Sequence, residues 1–439
     1  MYEQLLGDEI LERQPKDRLF GIIFGIMQMS SWGIAIYASR GYHKTSECDV
    51  LYEENIEKQF YRKAIPIVAA TSMSTIILAN VFLKMCEKYA EHITKTVITF
   101  QLVSPIMIGT MLINTSTRGV ILSYAYSVLS AIMFYLWRNE LKLCTNLLKV
   151  AAEGLQENMK LIWIIVLKCI LLIGALPHIA GIVYASKRGR YIHENDKCIW
   201  EMENWTMGYI PFACLNVVWY VMLLFDMRLY IISGTISKWY MQTGNVKIYN
   251  EVLNAISNSF GSLCFSSLIM TIVQFIRGIF ENISDNRNRS IAEVIVNSCA
   301  QCILAFVEFM TKFAVIQMSM TGESFCKASK TVTDLLKRNG MSSYGVWWIP
   351  PMIMHTTTAA VTGLVTIVTL YVSKSRFSKE NLTELGIAIC LSTFVIFSMF
   401  NTLMLNIIDT IYLCYAKDKD DEKITRQDIH DVYEKIPEK

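Results

Sequence analysis

Ten long apolar blocks limit what this chain can fold into more than any other feature of its sequence. Each has roughly the 20 residues that a helix needs to cross a bilayer core about 30 Å thick. The blocks are continuously apolar, whereas the strands of a membrane barrel are short and alternate polar with apolar residues. The sequence therefore predicts an all-α polytopic membrane protein with about ten transmembrane helices. The blocks lie at roughly 19–38, 64–83, 96–113, 119–137, 161–184, 210–230, 260–280, 296–316, 347–371 and 385–412.

The composition agrees with a membrane protein. Of the 439 residues, 53% are hydrophobic and 18% are charged, whereas soluble domains carry about 25% charged residues. The net charge of +3 is small, and no basic cluster points to nucleic acid. The predicted partner is therefore the lipid bilayer, and nucleic acid is not a predicted partner.

The orientation predicted from the sequence places both termini in the cytosol, because an even number of spans returns the chain to its starting side. Lys and Arg are more frequent in the segments that this arrangement places inside, as the positive-inside rule requires. The Asn-X-Ser/Thr sequons all fall in predicted outer loops, which favours the same orientation and predicts a glycoprotein. The possible glycosylation sites are Asn114, Asn204, Asn282, Asn288 and Asn381.

Two of the twelve cysteines, Cys48 and Cys198, fall in predicted outer loops. The outer compartment permits disulfides, so we predict that these two cysteines pair. The alternative is that both thiols are free.

The chain divides into three predicted parts. Residues 1–18 form a cytosolic N-terminal segment, 19–416 a transmembrane bundle and 417–439 a charged cytosolic tail. Within the bundle, 138–160 and 323–338 place apolar residues on one helical face. They are predicted to be amphipathic helices at the inner interface, with connectors packed under the bundle as the alternative.

Polar residues inside the apolar blocks are the first functional candidates, because lipid disfavours unpaired polar groups. Asn406 and Asp409 belong to a polar stripe of the last block, which predicts a structural or gating role; the alternative is that Asp409 reaches the inner interface. Glu308 and Lys312 are four residues apart and can pair on one helix face, which predicts a structural or gating role for Lys312 as well. The alternative is that Glu308 is a counter-charge for a passing cation or proton.

Three further residues join Glu308 as candidates. The amide of Gln274 needs partners in a dry region. If the ligand is an organic cation, aromatic faces such as those of Trp219 and Phe313 can hold it through cation–π contacts. Trp219, Gln274, Glu308 and Phe313 are therefore the predicted lining of a substrate path.

No catalytic motif accompanies these residues. Metal-binding Cys/His spacing, a G-x-S-x-G turn, a phosphate-binding glycine loop and an H-E-x-x-H helix are all missing from the sequence. The sequence therefore predicts no enzyme, no metal site and no cofactor.

Four stretches in the second half of the chain resemble the choline transporter-like family of solute carriers, including its fungal PNS-type members. Three of them are FGSLCFSSLIMTIVQFIR at 260–277, AVIQMSMTGESFCKASKTVTDLLKRN at 314–339 and IIDTIYLCYAKDKD at 407–420. The weaker fourth is SGTISKWY at 233–240. The first half is similar only in topology. It departs from animal members in having only 39–63 where they have a large outer loop, and Val315 stands where many members have Tyr.

The resemblance implies a ten-span bundle in the plasma membrane that moves choline or a related organic cation. Transport would be facilitative or proton-linked and would proceed by alternating access around a midplane site. Asp409 lies on the family's ending motif, which implies a helix-anchoring or gating role. The competing interpretation is a multi-span chemoreceptor or sensor without transport activity, which the even span count disfavours. A membrane lipid enzyme acting on choline headgroups is a third, which would need intramembrane Asp or His residues at metal-binding spacing.

Overall fold

The computed structural model describes residues 14–40, 54–194, 197–242, 247–284, 291–338, 343–375 and 377–434. Within these ranges the chain is almost entirely helical. The helices are α1 (Arg18–Arg40), α2 (Glu54–Met111), α3 (Thr117–Leu136), α4 (Arg138–Glu157), α5 (Ile162–Leu172), α6 (Leu176–Ser186), α7 (Asn204–Tyr240), α8 (Ile248–Ile256), α9 (Phe260–Ser284), α10 (Ile291–Thr321), α11 (Phe325–Arg338), α12 (Ser343–Ser373), α13 (Lys379–Asp420) and α14 (Gln427–Glu434).

The chain folds into two compact units, each made of two separate parts of the sequence. The first unit comprises Met1–Tyr52 and Lys160–Leu335, and therefore contains α1 and α5 to α10 together with most of α11. The second unit comprises Glu53–Met159 and Leu336–Lys439, and contains α2 to α4 and α12 to α14.

The described residues contain nine helical stretches that are long and apolar enough to cross a membrane, which confirms an all-α polytopic membrane protein. Their number and orientation in the membrane stay predictions. The stretches are Arg18–Arg40, Arg62–Met111, Thr117–Leu136, Met159–Ser186, Asn204–Tyr240, Phe260–Glu281, Val296–Thr321, Ile349–Ser373 and Asn381–Asp420.

The difference from ten predicted blocks lies in α2, which contains the block 64–83 and all but the last two residues of the block 96–113. A straight helix of its 58 residues would be about 87 Å long, nearly three times the thickness of a bilayer core. Tyr89 interrupts it with non-helical φ −122° and ψ 22°, so α2 is two helical arms joined at a kink. The charged segment between the arms lacks Gly and Pro and carries an ion pair, Glu91 with Lys95, at i,i+4 spacing. It therefore stays helical where hydropathy alone indicates a loop.

Among the described residues, a two-stranded hairpin between α6 and α7 departs from the all-helical prediction. Strand β1 (Gly189–Glu194) pairs antiparallel with β2 (Lys197–Met202), and His193 lies opposite Cys198. Strands of six residues are too short to be detected by a search for apolar blocks of about 20 residues. The sequence therefore predicts only a loop for this segment.

Helices α4 and α11 occupy the two segments predicted to be amphipathic. The buried face of α4 includes Cys144, Leu148 and Ala152, as its spacing predicts. Burial raises the pKa of the Cys144 thiol, so this cysteine is an inert core residue. The Thr145 hydroxyl donates to the Thr94 hydroxyl on α2 at 3.3 Å. Helix α4 is thus packed within the second unit, while its position at the inner interface stays a prediction.

The remaining outer-loop predictions stay predictions. Cys48 and Asn288 lie outside the described residues, and so does the segment 1–13.

The other outer-loop residues lie within the described ranges. Cys198 lies on β2. Asn204 begins α7, and Asn282 lies near the end of α9. Asn114 is exposed after α2 and Asn381 is half-buried in the first turn of α13.

Candidate functional site

One face of α7 in the first unit carries a run of buried side chains that hydrogen-bond outside their own helix turn. We call these five residues the α7 seam. Their spacings of seven, three, seven and four residues keep them on the same helix face. Each is less than a tenth exposed. The α7 seam consists of Tyr209, Asn216, Trp219, Asp226 and Tyr230.

At the end of the seam nearest the hairpin, His178 on α6 links two residues of α1. The Trp32 indole donates from Nε1 to His178 Nε2 at 2.8 Å, and Ser31 Oγ lies 2.8 Å from His178 Nδ1. Because an indole N–H can only donate, Nε2 must be the unprotonated nitrogen and Nδ1 carries the hydrogen. The imidazole is therefore neutral here. The Tyr209 hydroxyl completes the cluster by donating to the Ser31 carbonyl at 3.2 Å.

Next along the seam, two amides face each other between α1 and α7. Gln28 Nε2 donates to Asn216 Oδ1 at 3.2 Å, and Asn216 Nδ2 donates to the Phe212 carbonyl at 2.8 Å. Gln28 Oε1 is buried and accepts no hydrogen bond from the described residues. A buried acceptor without a donor is costly, so this oxygen is available to a water or a ligand.

Trp219 occupies the middle of the seam and is 2% exposed. Its indole Nε1 donates to Ser267 Oγ at 3.1 Å and to the Cys264 carbonyl at 3.2 Å, both on α9. Its ring meets the Phe24 ring edge-on at 5.2 Å between centroids. Trp219 therefore joins α7 to α1 and α9 at one point.

Asp226 is the buried carboxylate of the seam. Its Oδ2 accepts a 2.6 Å hydrogen bond from Ser266 Oγ on α9, and no described basic side chain forms an ion pair with it. Glu308 differs, because its carboxylate forms a 2.7 Å ion pair with Arg277 of α9 and its side chain is 41% exposed. Among the described residues of this unit, Asp226 is thus the buried carboxylate that has no basic partner. The sequence analysis did not select it.

The four predicted path residues all lie in the first unit, but they are not gathered in one site. Trp219 meets α9 at Cys264 and Ser267, whereas Glu308 meets it at Arg277. Ten residues of helix separate Ser267 from Arg277, a rise of about 15 Å. The structure therefore places Trp219 and Glu308 in different layers of the unit.

The other two path candidates and the gating candidates have the following surroundings. Gln274 is half-buried on α9. Phe313 is 2% exposed and packs against Phe309 with ring centroids 4.6 Å apart. Asn406 and Asp409 are buried on α13 in the second unit. Lys312 lies four residues after Glu308 on α10. Their roles stay predictions.

Asp17, a residue that sequence reasoning missed, anchors the start of α1. It adopts a positive φ of 50°. Its Oδ2 accepts from Ser262 Oγ at 2.6 Å and from the Phe325 backbone N–H at 3.3 Å. A Cβ on Gly261 would lie 2.3 Å from the Asp17 carbonyl oxygen. Glycine is therefore required at 261, because the backbone of the N-terminal segment occupies that space.

Phe265 extends this anchor. It stacks on Phe20 of α1 at 4.1 Å and meets Phe325 of α11 edge-on at 5.3 Å. Together with the bonds of Ser262, Ser266 and Ser267, these contacts account for four side chains of the stretch at 260–277. It holds α1, α7 and α11 against α9.

An aromatic groove lies between α1 and α7 at the hairpin end of the seam. Its volume is about 710 Å³. Trp205 meets Tyr37 at 5.7 Å and Tyr209 at 6.0 Å between ring centroids. The Arg188 guanidinium lies 5.5 Å from the Tyr37 ring centre and 3.7 Å from Glu203. The groove is lined by Ile34, Tyr37, Trp205, Gly208, Tyr209 and Phe212.

A family model described as plasma-membrane choline transporter matches residues 121–420, well over half of the chain. The chain belongs to the choline transporter-like family. This is a family of membrane transporters, and the finding confirms the resemblance seen in the sequence. The matched range includes Trp219, Asp226 and all four motif stretches, while Asp17 and Gln28 precede it.

Individual relatives are distant. A CTL-like protein of Dictyostelium discoideum is 28% identical over 221 residues, which cover 46% of this chain and 39% of the relative. Protein PNS1 of Mycosarcoma maydis is 19% identical over 350 residues, covering 76% of this chain and 66% of the relative. Choline transporter-like protein 4 of Mus musculus is 27% identical over 174 residues, covering 36% and 25%. The matched stretches thus span between a quarter and two thirds of these relatives' length.

Proposed function

We propose that this protein carries choline or a related organic cation across the plasma membrane, without chemically converting it, by facilitative or proton-linked alternating access. Family membership supports a choline transporter. The observation that carries the finer proposal is the α7 seam, in which a buried aromatic donor, Trp219, and a buried carboxylate, Asp226, lie on one helix face.

The chemistry of the substrate explains why these two groups matter. Choline is a quaternary ammonium ion and cannot lose its charge to enter lipid. It therefore needs aromatic faces, which attract it through cation–π contacts, and a negative charge that replaces water's stabilisation. The aromatic groove offers rings at the hairpin end, Trp219 follows along the seam, and Asp226 supplies the charge.

Asp226 also offers a route to proton linkage. A carboxylate in a dry region without a basic partner is unfavourable by several kcal/mol. Such a group is stabilised either by a proton on its oxygen or by a cation beside it. If substrate and proton alternate at Asp226, uptake of the cation releases a proton, which is the exchange that the proposal requires.

Opening the path calls for the seam to separate from α1. That movement breaks the bonds from Gln28 to Asn216 and from Tyr209 to Ser31. Each such bond contributes only about 0.5–1.5 kcal/mol net, so a cation that replaces them can shift the equilibrium between open and closed arrangements.

The decisive test is uptake of labelled choline by the purified protein in liposomes, with and without an imposed pH gradient. Saturable uptake that excess unlabelled choline blocks is the expected result, and an accompanying pH dependence would favour the proton-linked form. Specific binding of choline without any uptake would favour the sensor instead. Folded protein that neither binds nor moves choline would overturn the proposed substrate.

A further inference from the structure

Two buried basic side chains lie beside one another in the first unit, apart from the α7 seam's own contacts. Lys168 on α5 is 4% exposed and Arg228 on α7 is 3% exposed. Neither forms an ion pair or donates a hydrogen bond to any described residue, and Arg228 Nε is wholly buried without an acceptor.

Both cations border the same aromatic ring. Lys168 Nζ lies 3.2 Å from the centre of the Phe225 ring, and the Arg228 guanidinium carbon lies 5.5 Å from it. The ring stabilises each charge through its quadrupole. It does not remove the repulsion between two like charges held close together in a dry region. Phe225 is 41% exposed, so a ligand can reach the ring that the two cations share.

Nearby carboxylates do not neutralise the pair. Asp226 is two residues from Arg228 on the same helix and therefore faces another way; it bonds to Ser266 instead. Glu251 forms its ion pair with Lys238. The described part of the first unit thus holds two buried basic side chains with no anionic partner among these residues.

The position of the pair within the unit indicates from which side an anion would reach it. Lys168 lies in the first half of Met159–Ser186, which runs toward the hairpin, and Arg228 lies in the second half of α7, which runs away from it. Both are therefore toward the end opposite the hairpin. The predicted orientation makes this the cytosolic side, where basic pockets between helices bind anionic headgroups.

We propose that Lys168 and Arg228 form a binding site for a phosphate group at this end of the first unit. A phosphate monoester carries up to two negative charges and several acceptor oxygens, which match two cations. The guanidinium fork binds two oxygens at once, and the ammonium acts as a point charge. The phosphate belongs either to a lipid headgroup or to a soluble phosphate ester.

The test compares purified full-length protein and three variants by titration with short-chain phosphatidic acid and, separately, with inorganic phosphate, reading the thermal unfolding midpoint and the apparent Kd. The variants are the double variant Lys168→Met with Arg228→Met, the charge-keeping Arg228→Lys, and Lys160→Met, which removes an exposed charge near the start of the same span. Removing buried unpaired charges does not itself threaten the fold.

The double variant is expected to lose about fivefold in apparent affinity for each charge removed. Arg228→Lys should lie between it and the parent, and Lys160→Met should match the parent. A response to phosphatidic acid alone identifies a lipid headgroup, and a response to inorganic phosphate identifies a soluble ester. If the double variant binds both probes as the parent does, or if the parent binds neither, the site does not exist. If the double variant fails to fold, the Arg228→Lys variant still tests the proposal. Equal affinities of this variant and the parent for the phosphate probes would show that the Arg228 guanidinium does not bind phosphate.

Discussion

The two units handle buried polar groups in different ways. In the first unit, the buried polar side chains of the α7 seam bond from one helix to another, as in the pairs Trp219 with Ser267 and Asp226 with Ser266. In the second unit, many hydroxyls of α12 and α13 donate to a carbonyl of their own helix, as Thr357 does to Ile353. A hydroxyl bonded within its own helix requires no particular neighbour, so these hydroxyls do not fix how α12 and α13 pack. Bonds between helices are also present in this unit, as in Thr145 with Thr94 and Ser127 with the Leu102 carbonyl.

This difference assigns separate tasks. Bonds between helices must break or rotate when the helices part, and they can be replaced by a polar ligand. Bonds within a helix survive such movement. We therefore expect the first unit to bind the substrate and the second unit to have a structural role. Asn401 is the test case in the second unit, because its amide reaches α12, donating to the Met354 carbonyl at 2.8 Å and to Thr358 Oγ1 at 2.7 Å.

The largest effect is expected from Gly261→Ala in the first unit. Its Cβ meets the Asp17 backbone at 2.3 Å, and a backbone cannot move aside as a side chain can. Overpacking of this kind destabilises by about 1–3 kcal/mol or more. Thermal unfolding of the purified protein measures it.

Two control variants accompany it. Gly278→Ala lies on the same helix with nothing within 4 Å, and Gly386→Ala in the second unit meets the flexible Leu370 side chain at 3.1 Å. Both should stay near the parent. If Gly386→Ala destabilised the protein as much as Gly261→Ala, the two units would not differ in their tolerance of an added Cβ.

Asp226→Asn should reduce choline uptake at least about tenfold, equivalent to 1.4 kcal/mol, because it removes the charge while keeping an acceptor for Ser266. Glu308→Gln should change uptake less than twofold, since Glu308 is partly exposed and already paired with Arg277, and such pairs contribute about 0–1 kcal/mol. Initial rates of uptake in liposomes compare the two. If Glu308→Gln reduced uptake more than Asp226→Asn, Glu308 and not Asp226 would be the carboxylate of the substrate path.

Trp219→Phe and Asn401→Ala compare one bond between helices in each unit. Each removes one buried donor, but the acceptors keep other bonds, because Ser267 still donates to the Cys264 carbonyl and Thr358 to the Met354 carbonyl. The expected loss in stability is therefore about 0.5–1.5 kcal/mol. We expect the tryptophan variant also to raise the half-saturating choline concentration several-fold, and the asparagine variant to leave it unchanged. A large shift in the asparagine variant would place substrate chemistry in both units.

The smallest effect concerns the periphery of the second unit. Arg426 binds Asp428 through both carboxylate oxygens, at 3.2 and 2.7 Å, and thereby lowers the pKa of Asp428 below its ordinary 3.8. The pair's contribution is fully present above pH 3.8 and is lost as the pH falls through the lowered value. Because Asp428 is half-exposed, this is at most about 0.5 kcal/mol.

Comparing acid unfolding of the parent with that of Asp428→Asn measures the contribution. The variant should be slightly less stable near neutrality, and the two should converge at the lowest pH. A gap that persists or widens in acid would show that the ion pair is not its source.

Hydropathy predicted the spans well because it averages over about 20 residues, a length that lipid itself imposes. It failed where the signal was shorter or came from a distant part of the chain. The hairpin strands are six residues long. The partner of Glu308 is Arg277, on another helix, whereas the i,i+4 rule inspects only its own helix. Asp226 is not among the residues selected from the sequence, because its bond to Ser266 and its degree of burial are properties of the fold.

Asp17 is joined to Ser262 and Phe325, which follow it by 245 and 308 residues. During translation at about 5–20 residues per second, the second of these partners is made roughly 15–60 s after Asp17. Helix α1 therefore enters the membrane long before the residues that anchor it exist, while the first part of the second unit is made in between. The N-terminal segment must be kept from wrong partners for that time. Substitutions at Asp17 should therefore act first on the yield of inserted protein during synthesis and only afterwards on the stability of the finished protein.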